Sequence, residues 1–296
     1  MNMTTTKRLL DKYEEATHDK LEQVCHANFA KAFPKVRVAD VLRIDKSGLT
    51  DPEFRYALMA HFDFTITDEN KDPLFAVEYD GASHKDPKQI ERDKLKDSIC
   101  EKLGFSLLRI NSNFINRKFR DYDLLTYLVE IWFLSKAFDE AQEQGSIPWD
   151  EGFEPSLVVS TSETSKSFPY WLSLDAQLVF QKLKETGKIN QGIASYWTGR
   201  DRKDNIHCIA WIQVQENGFL VVITGMRAQN FPIMQSEIIS QIAVIDLLEK
   251  TKDYLSGKSN LIPSEKINGV IKEFTSRYKL SSFVGFANPE INLGIQ

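Results

Sequence analysis

Cysteine is scarce in this 296-residue chain: Cys25, Cys100 and Cys208 are odd in number and widely spaced. With no CxxC pair, they offer neither a zinc ribbon nor a disulfide framework. Cys100 reads as a core residue. Cys25 and His26 are neighbours on a helix and point in different directions, which argues against a shared metal. Long apolar runs are also missing. No stretch approaches the roughly 18 apolar residues needed to span a bilayer. The opening MNMTTTKRLLDKYEEATHDK has no apolar stretch of the secretory kind. The expectation is a cytoplasmic protein without membrane contact. HExxH and GxSxG do not occur, and Gly257-Lys258-Ser259 lacks the upstream glycine of a phosphate-cradling loop. Excess positive charge is absent too. The net charge of -5 argues mildly against duplex binding, which phosphate neutralisation dominates, although a local basic surface can survive an acidic total.

What is present is enough apolar residue, 42%, for real cores. At roughly 100–200 residues per domain the length suggests two. The expected division is a first domain over 1–145, a linker over 146–168 and a smaller α+β domain over 169–296. The linker rests on Pro148, Pro155 and the run Ser160–Ser167, within which Leu157-Val158-Val159 suits a small strand.

Helical spacing of Leu9, Leu10, Tyr13, Thr17, Leu21, Val24 and Phe29 predicts a helix over 7–33, stopped by Pro34. A β-branched strand, or a strand with a short helical turn, is expected over 36–44. His61–Thr67 alternates strictly, with Phe62, Phe64 and Ile66 on one face and His61, Asp63, Thr65 and Thr67 on the other. The turn Asp68–Pro73 leads into a second strand over 74–80, so the two form an antiparallel hairpin. A helix over 87–103 follows, with Leu95, Ile99 and Leu103 as its apolar stripe. A strand over 105–110, suited to a sheet centre, and a helix over 121–144 complete this half. Strand, strand, helix, strand implies a mixed sheet with a crossover helix.

The chemistry concentrates in the hairpin. Glu78 and Asp80 are two apart on one strand and share a face, and the right register lets Asp63 join them. Crowded carboxylates repel without a cation, and Mg²⁺ favours such oxygens plus water. A solvated strand face is the plainer alternative.

Five short motifs in order sharpen this reading: Asp63-Phe64; Val77-Glu78-Tyr79-Asp80-Gly81 with His84; Gln89 with Asp93; Gly104 through Ile110; and, upstream, Phe33–Leu42. Over roughly 10–135 the chain resembles the nuclease-like domains related to the very-short-patch-repair endonucleases, in the PD-(D/E)XK superfamily. The resemblance implies a restriction-endonuclease-like mixed sheet flanked by helices, and a Mg²⁺- or Mn²⁺-dependent endonuclease acting on DNA before RNA. It makes Asp63 and Glu78 metal ligands. Glu15 matches the acid that such domains often place on the first helix, and Glu14 is its rival. Asp80 stands where many relatives carry a lysine that orients or deprotonates the water. That role would pass to Lys94, Lys96 or His84; otherwise the fold binds without cutting. His84 suits a turn as well as catalysis. Gln89, Lys96 and Arg109 are the candidate substrate contacts. Gln89 and Asp93 are also spaced to bond one another, and Arg109 is equally suited to pairing with an acid. The alternating charges of Lys88, Glu91, Arg92 and Lys94 describe a solvated helix face.

In the second half, a helix over 173–186, strands near 193–198, 206–215 and 218–227, and a helix over 232–256 give an α-β-β-β-α order. That order is weakly like the double-stranded-RNA-binding domain. The start of the second helix carries no lysine cluster, which favours a homodimer or partner-protein contact over RNA binding. Arg200, Arg202 and Lys203 keep a nucleic-acid contact open. Trp171, Trp197 and Trp211 read as core, and the tail has few signals.

Overall fold

The computed structural model describes residues 8–81, 87–120, 122–155 and 170–284. His84, Leu157–Val159 and Ser160–Ser167 lie outside them. The chain is mixed α/β and divides into two compact units, residues 1–170 with 229–233, and 171–228 with 234–296. Assigning 229–233 to the first unit differs from the sequence expectation, which kept the second half continuous.

The first unit opens with α1 (Lys12–Ala27). Asp11 caps it: its side chain accepts from Tyr13 and Glu14 backbone N–H groups, and Glu14 reaches back to the Asp11 N–H. This reciprocal box satisfies orphan donors of the first turn. The helix ends well before Pro34. Asn28 closes it, and Phe29 takes the left-handed conformation at φ 54° that commonly ends helices. Pro34 then lies inside β1 (Lys31–Arg37), an outer strand where its missing N–H is tolerated. Of the two readings of 36–44, the strand with a short helical turn is the one found: the end of β1 is followed by α2 (Val38–Val41). Next come α3 (Asp51–Met59), β2 (His61–Thr67), β3 (Pro73–Tyr79), α4 (Pro87–Lys102) and β4 (Leu107–Ile110). The short α5 (Ser112–Asn116), β5 (Lys118–Phe119) and β6 (Tyr122–Asp123) precede α6 (Leu124–Glu143).

The sheet order is β1-β2-β3-β4, antiparallel except for the parallel β3–β4 pair. Parallel pairing is what a crossover helix such as α4 permits. β4 ends the order instead of filling its centre. It is nevertheless fully buried, because Asn230 pairs with Leu107 on its outer side. Covering an edge in this way satisfies ladder groups that would otherwise be left exposed. One apolar cluster gathers Val38, Ala57, Phe62, Ala76, Ile99, Cys100 and Phe105. Elsewhere Phe75 packs on Trp132 of α6, ring centroids 4.7 Å apart.

The second unit runs α7 (Leu174–Glu185), β7 (Ser195–Arg200), β8 (Ile206–Gln215), β9 (Gly218–Met226), α8 (Gln235–Leu255), β10 (Ile262–Pro263), α9 (Ser264–Arg277) and β11 (Lys279–Val284). The expected α-β-β-β-α order is there, but the tail adds a helix and two strands. The antiparallel order is β10-β9-β8-β7-β11. Ile267, Ile271 and Phe274 of α9 bury against Trp197, Ile209, Trp211 and Val221, so Trp197 and Trp211 are core residues. Arg200 is held by Asp204 within its own loop.

Candidate active site

Local pairing makes the site. From Phe64 to Ile66 β2 and β3 pair in steady register, Phe64 opposite Val77 and Thr65 opposite Ala76, before the register shifts between Ile66 and Thr67. At Asp63 the backbone pairing gives way to side chains. The Asp63 N–H donates to Glu78 Oε1 at 3.1 Å, and the Tyr79 N–H donates to Asp63 Oδ2 at 2.9 Å. The strict alternation predicted for His61–Thr67 breaks here. Phe64 stacks on His18 of α1, whereas Phe62 joins the Ile99–Cys100–Phe105 cluster. A strand that parts here while its carboxylates bridge the gap brings Asp63 and Glu78 together, whereas Asp80, which the hairpin reading placed on the same face, pairs with Arg109.

Glu78 is only 6% exposed. Its Oε2 lies 2.7 Å from Lys96 Nζ, which also donates to the His61 carbonyl at 2.8 Å. Burial pushes the Glu78 carboxyl up to about 7, against the pull of Lys96, and the neighbouring Asp63 adds to the rise. Desolvation outweighs the ion pair because a carboxylate loses most of its hydration when enclosed. Lys96 reaches this position because α4 buries Asp93, Lys96, Ile99 and Cys100. Of the expected stripe, Ile99 is buried, Leu103 packs against the same apolar cluster and Leu95 is half-buried, while the polar Asp93 and Lys96 share the buried face. Of the expected replacements for the missing lysine, Lys96 is at the site, Lys94 is exposed on α4, and His84 is outside the described residues.

The first-helix acid is Glu14, not Glu15. Glu15 is exposed and pairs with Arg8. Glu14 receives Lys35 Nζ, which also donates to Asp63 Oδ1 at 2.7 Å. Burial lowers the Lys35 pKa, but its hydrogen bonds to the Asp63 and Glu14 carboxylates outweigh this, and the net shift is upward. Tyr13 stacked on Tyr79, centroids 5.6 Å apart, holds the start of α1 beside the end of β3. Sequence reasoning missed Lys35. Its only signal was its place beside Pro34 in the Phe33–Leu42 motif.

A second cluster surrounds Arg109, which lies opposite Glu78 in the parallel β3–β4 register. Its guanidinium donates to Asp97 Oδ1 at 2.7 Å and Asp80 Oδ1 at 3.0 Å, and stands 3.6 Å from Asp93 Oδ1. Gln89 donates to Asp93 at 3.1 Å. Asp80, Gln89 and Arg109, three of the expected site residues, are thus tied into this cluster, Asp80 through Arg109 and Gln89 through Asp93. Gln229 clamps the Arg109 backbone, accepting from its N–H at 2.8 Å and donating to its carbonyl at 3.1 Å.

The donor set suits a hard divalent cation. Asp63 and Glu78 offer oxygens only, the kind that Mg²⁺ and Mn²⁺ accept. Among the described residues no three His, Cys, Asp or Glu side chains gather closely enough to form a cage. Two carboxylates with water completing the shell are, however, ordinary for Mg²⁺. The Lys35 ammonium between Glu14 and Asp63 is itself a stand-in cation. The residues fit the ion.

No curated protein and no solved structure matches this chain. Residues 6–121, which hold Glu14, Lys35, Asp63, Glu78, Lys96 and Arg109, match the family described as "Protein of unknown function (DUF2726)".

Proposed function

We propose that the first unit is a metal-dependent nuclease on a restriction-endonuclease-like sheet, hydrolysing phosphodiesters of DNA before RNA. The observation that carries the reading is the splayed end of β2 and β3, where Asp63 meets Glu78 and the buried Lys96 ammonium lies 2.7 Å from Glu78 Oε2. Asp63 and Glu78 would hold Mg²⁺ or Mn²⁺. When bound, the ion supplies charge stabilisation at the phosphorus and a more acidic water. The chain's own groups do the rest. The Tyr79 N–H fixes the Asp63 carboxylate. Lys96 Nζ keeps a proton beside Glu78 and takes over the water-orienting role of the lysine that Asp80 replaces. Arg109 engages Asp80, so a third acid does not crowd the ion's ligands.

The test is cleavage of supercoiled plasmid, single-stranded DNA and structured RNA with Mg²⁺, Mn²⁺ or EDTA, beside Asp63→Asn and Glu78→Gln. Metal-dependent cutting lost in both variants is the expected outcome. Full cutting by the variants would sink the assignment. A second reading, a binding module on a degenerate nuclease fold, is favoured by Asp80 at the lysine position and by its bond to Arg109. It predicts salt-dependent nucleic-acid affinity and no turnover with either metal.

A further inference from the structure

Lys35 is an unusual residue in an unusual place. It takes φ 54°, the left-handed region that a side chain adopts only when its surroundings over-determine it. The β1–β2 ladder pairs Pro34 with Phe64 and Val36 with Phe62, so Lys35 falls where the backbone pairing lapses, across from Asp63. Its ammonium joins carboxylates from two elements, Glu14 of α1 and Asp63 of β2. It is the more open of the site's two lysines, with 37% of the side chain exposed against 8% for Lys96.

Resting on the proposed metal-dependent reading, we infer that Lys35 is a resident counter-cation that a divalent ion must displace. Each oxygen of the two acids it joins already has a partner. Asp63 gives Oδ1 to Lys35 and Oδ2 to the Tyr79 N–H; Glu14 gives Oε1 to Lys35 and Oε2 to the Asp11 N–H. Of Asp63's two oxygens, Oδ2 is held by a fixed backbone N–H and Oδ1 by the side chain of Lys35, which is the partner able to move aside. Displacement exchanges one positive charge for two at Asp63, the carboxylate that Lys35 and the ion would share. The exposed stem lets the ammonium leave into water without unpacking the core. Lys35 also offsets one of the two negative charges of Glu14 and Asp63 while no ion is bound. The cost is metal affinity, because the ion must win Asp63 from a bonded cation.

Mn²⁺ titration of the full chain by calorimetry, with Lys35→Met, Lys35→Gly and Glu78→Gln alongside, tests this directly. Glycine accepts φ 54° without strain, so Lys35→Gly keeps the backbone even if Lys35→Met disturbs it. Both Lys35 variants are expected to bind Mn²⁺ roughly tenfold more tightly or better, while Glu78→Gln binds more weakly than wild type. Unchanged or weaker binding in both Lys35 variants, with wild-type binding that still depends on Glu78, overturns the displacement and leaves the metal site standing. Absence of saturable Mn²⁺ binding in every form removes the site and the displacement with it.

Discussion

Two lysines stand 2.7 Å from carboxylate oxygens at the same end of the sheet, and they do different work. The side chains of Lys96 and Glu78 are each 8% exposed. Lys35 and Asp63 are 37% and 18% exposed. At equal distance, burial decides the consequence. An enclosed pair has given up hydration on both sides, so removing one partner leaves a charge with no water to turn to. An open pair is screened and is worth little to stability. Lys96 is thus bound up with the fold as well as the site, whereas Lys35 is free to be exchanged.

The largest effect expected from breaking this comparison is Lys96→Met. At pH 8 it should lower unfolding stability by roughly 3 kcal/mol, read by urea denaturation. The double variant with Glu78→Gln should recover most of that loss. A simple sum of the single effects would show that the two side chains do not act as a pair.

Next comes pH. The Glu78 carboxyl is raised from its ordinary 4.5 to about 7, so the folded chain binds its proton more tightly than the unfolded one. That stabilisation is complete below about 4.5 and disappears as pH rises through about 7. Wild type measured against Glu78→Gln should therefore lose stability over this window, on the order of 3 kcal/mol in all. A difference independent of pH would mean that Lys96 holds the carboxylate ionised throughout.

Smaller is the loss of the open pair. Lys35→Gly should change stability by less than about 1 kcal/mol, seen as a near-constant melting temperature; a collapse of the fold would make Lys35 a structural clamp. Smallest is Glu15→Gln, an exposed helix residue expected to shift stability by no more than about 0.5 kcal/mol. Glu14→Gln, which disturbs both the cap and the Lys35 bond, should cost roughly 1 kcal/mol. Reversal of that order would return the first-helix role to Glu15.

The hairpin was legible because its signal is local. Alternation and the Asp68–Pro73 turn placed Asp63 and Glu78 on facing strands, and the helix and strand that follow came within a few residues of their positions. The capping box Asp11-x-x-Glu14 was equally readable, and would have tied Glu14 rather than Glu15 to the helix start. The tail was legible in principle: Ile267, Ile271 and Phe274 have helical spacing.

The amino-acid sequence by itself determined the β2–β3 hairpin, the helices and strands that follow it, the two acids and the lysines on offer, because capping, alternation and amphipathic period act over a few residues. Tertiary structure alone decided which lysine each acid meets, that β2 splays at Asp63, that Asp80 turns to Arg109, and that Gln229 clamps a strand 120 residues away. Those outcomes depend on burial and on charges brought together by folding. Desolvation is a property of the enclosing neighbours and is carried by no single stretch of chain.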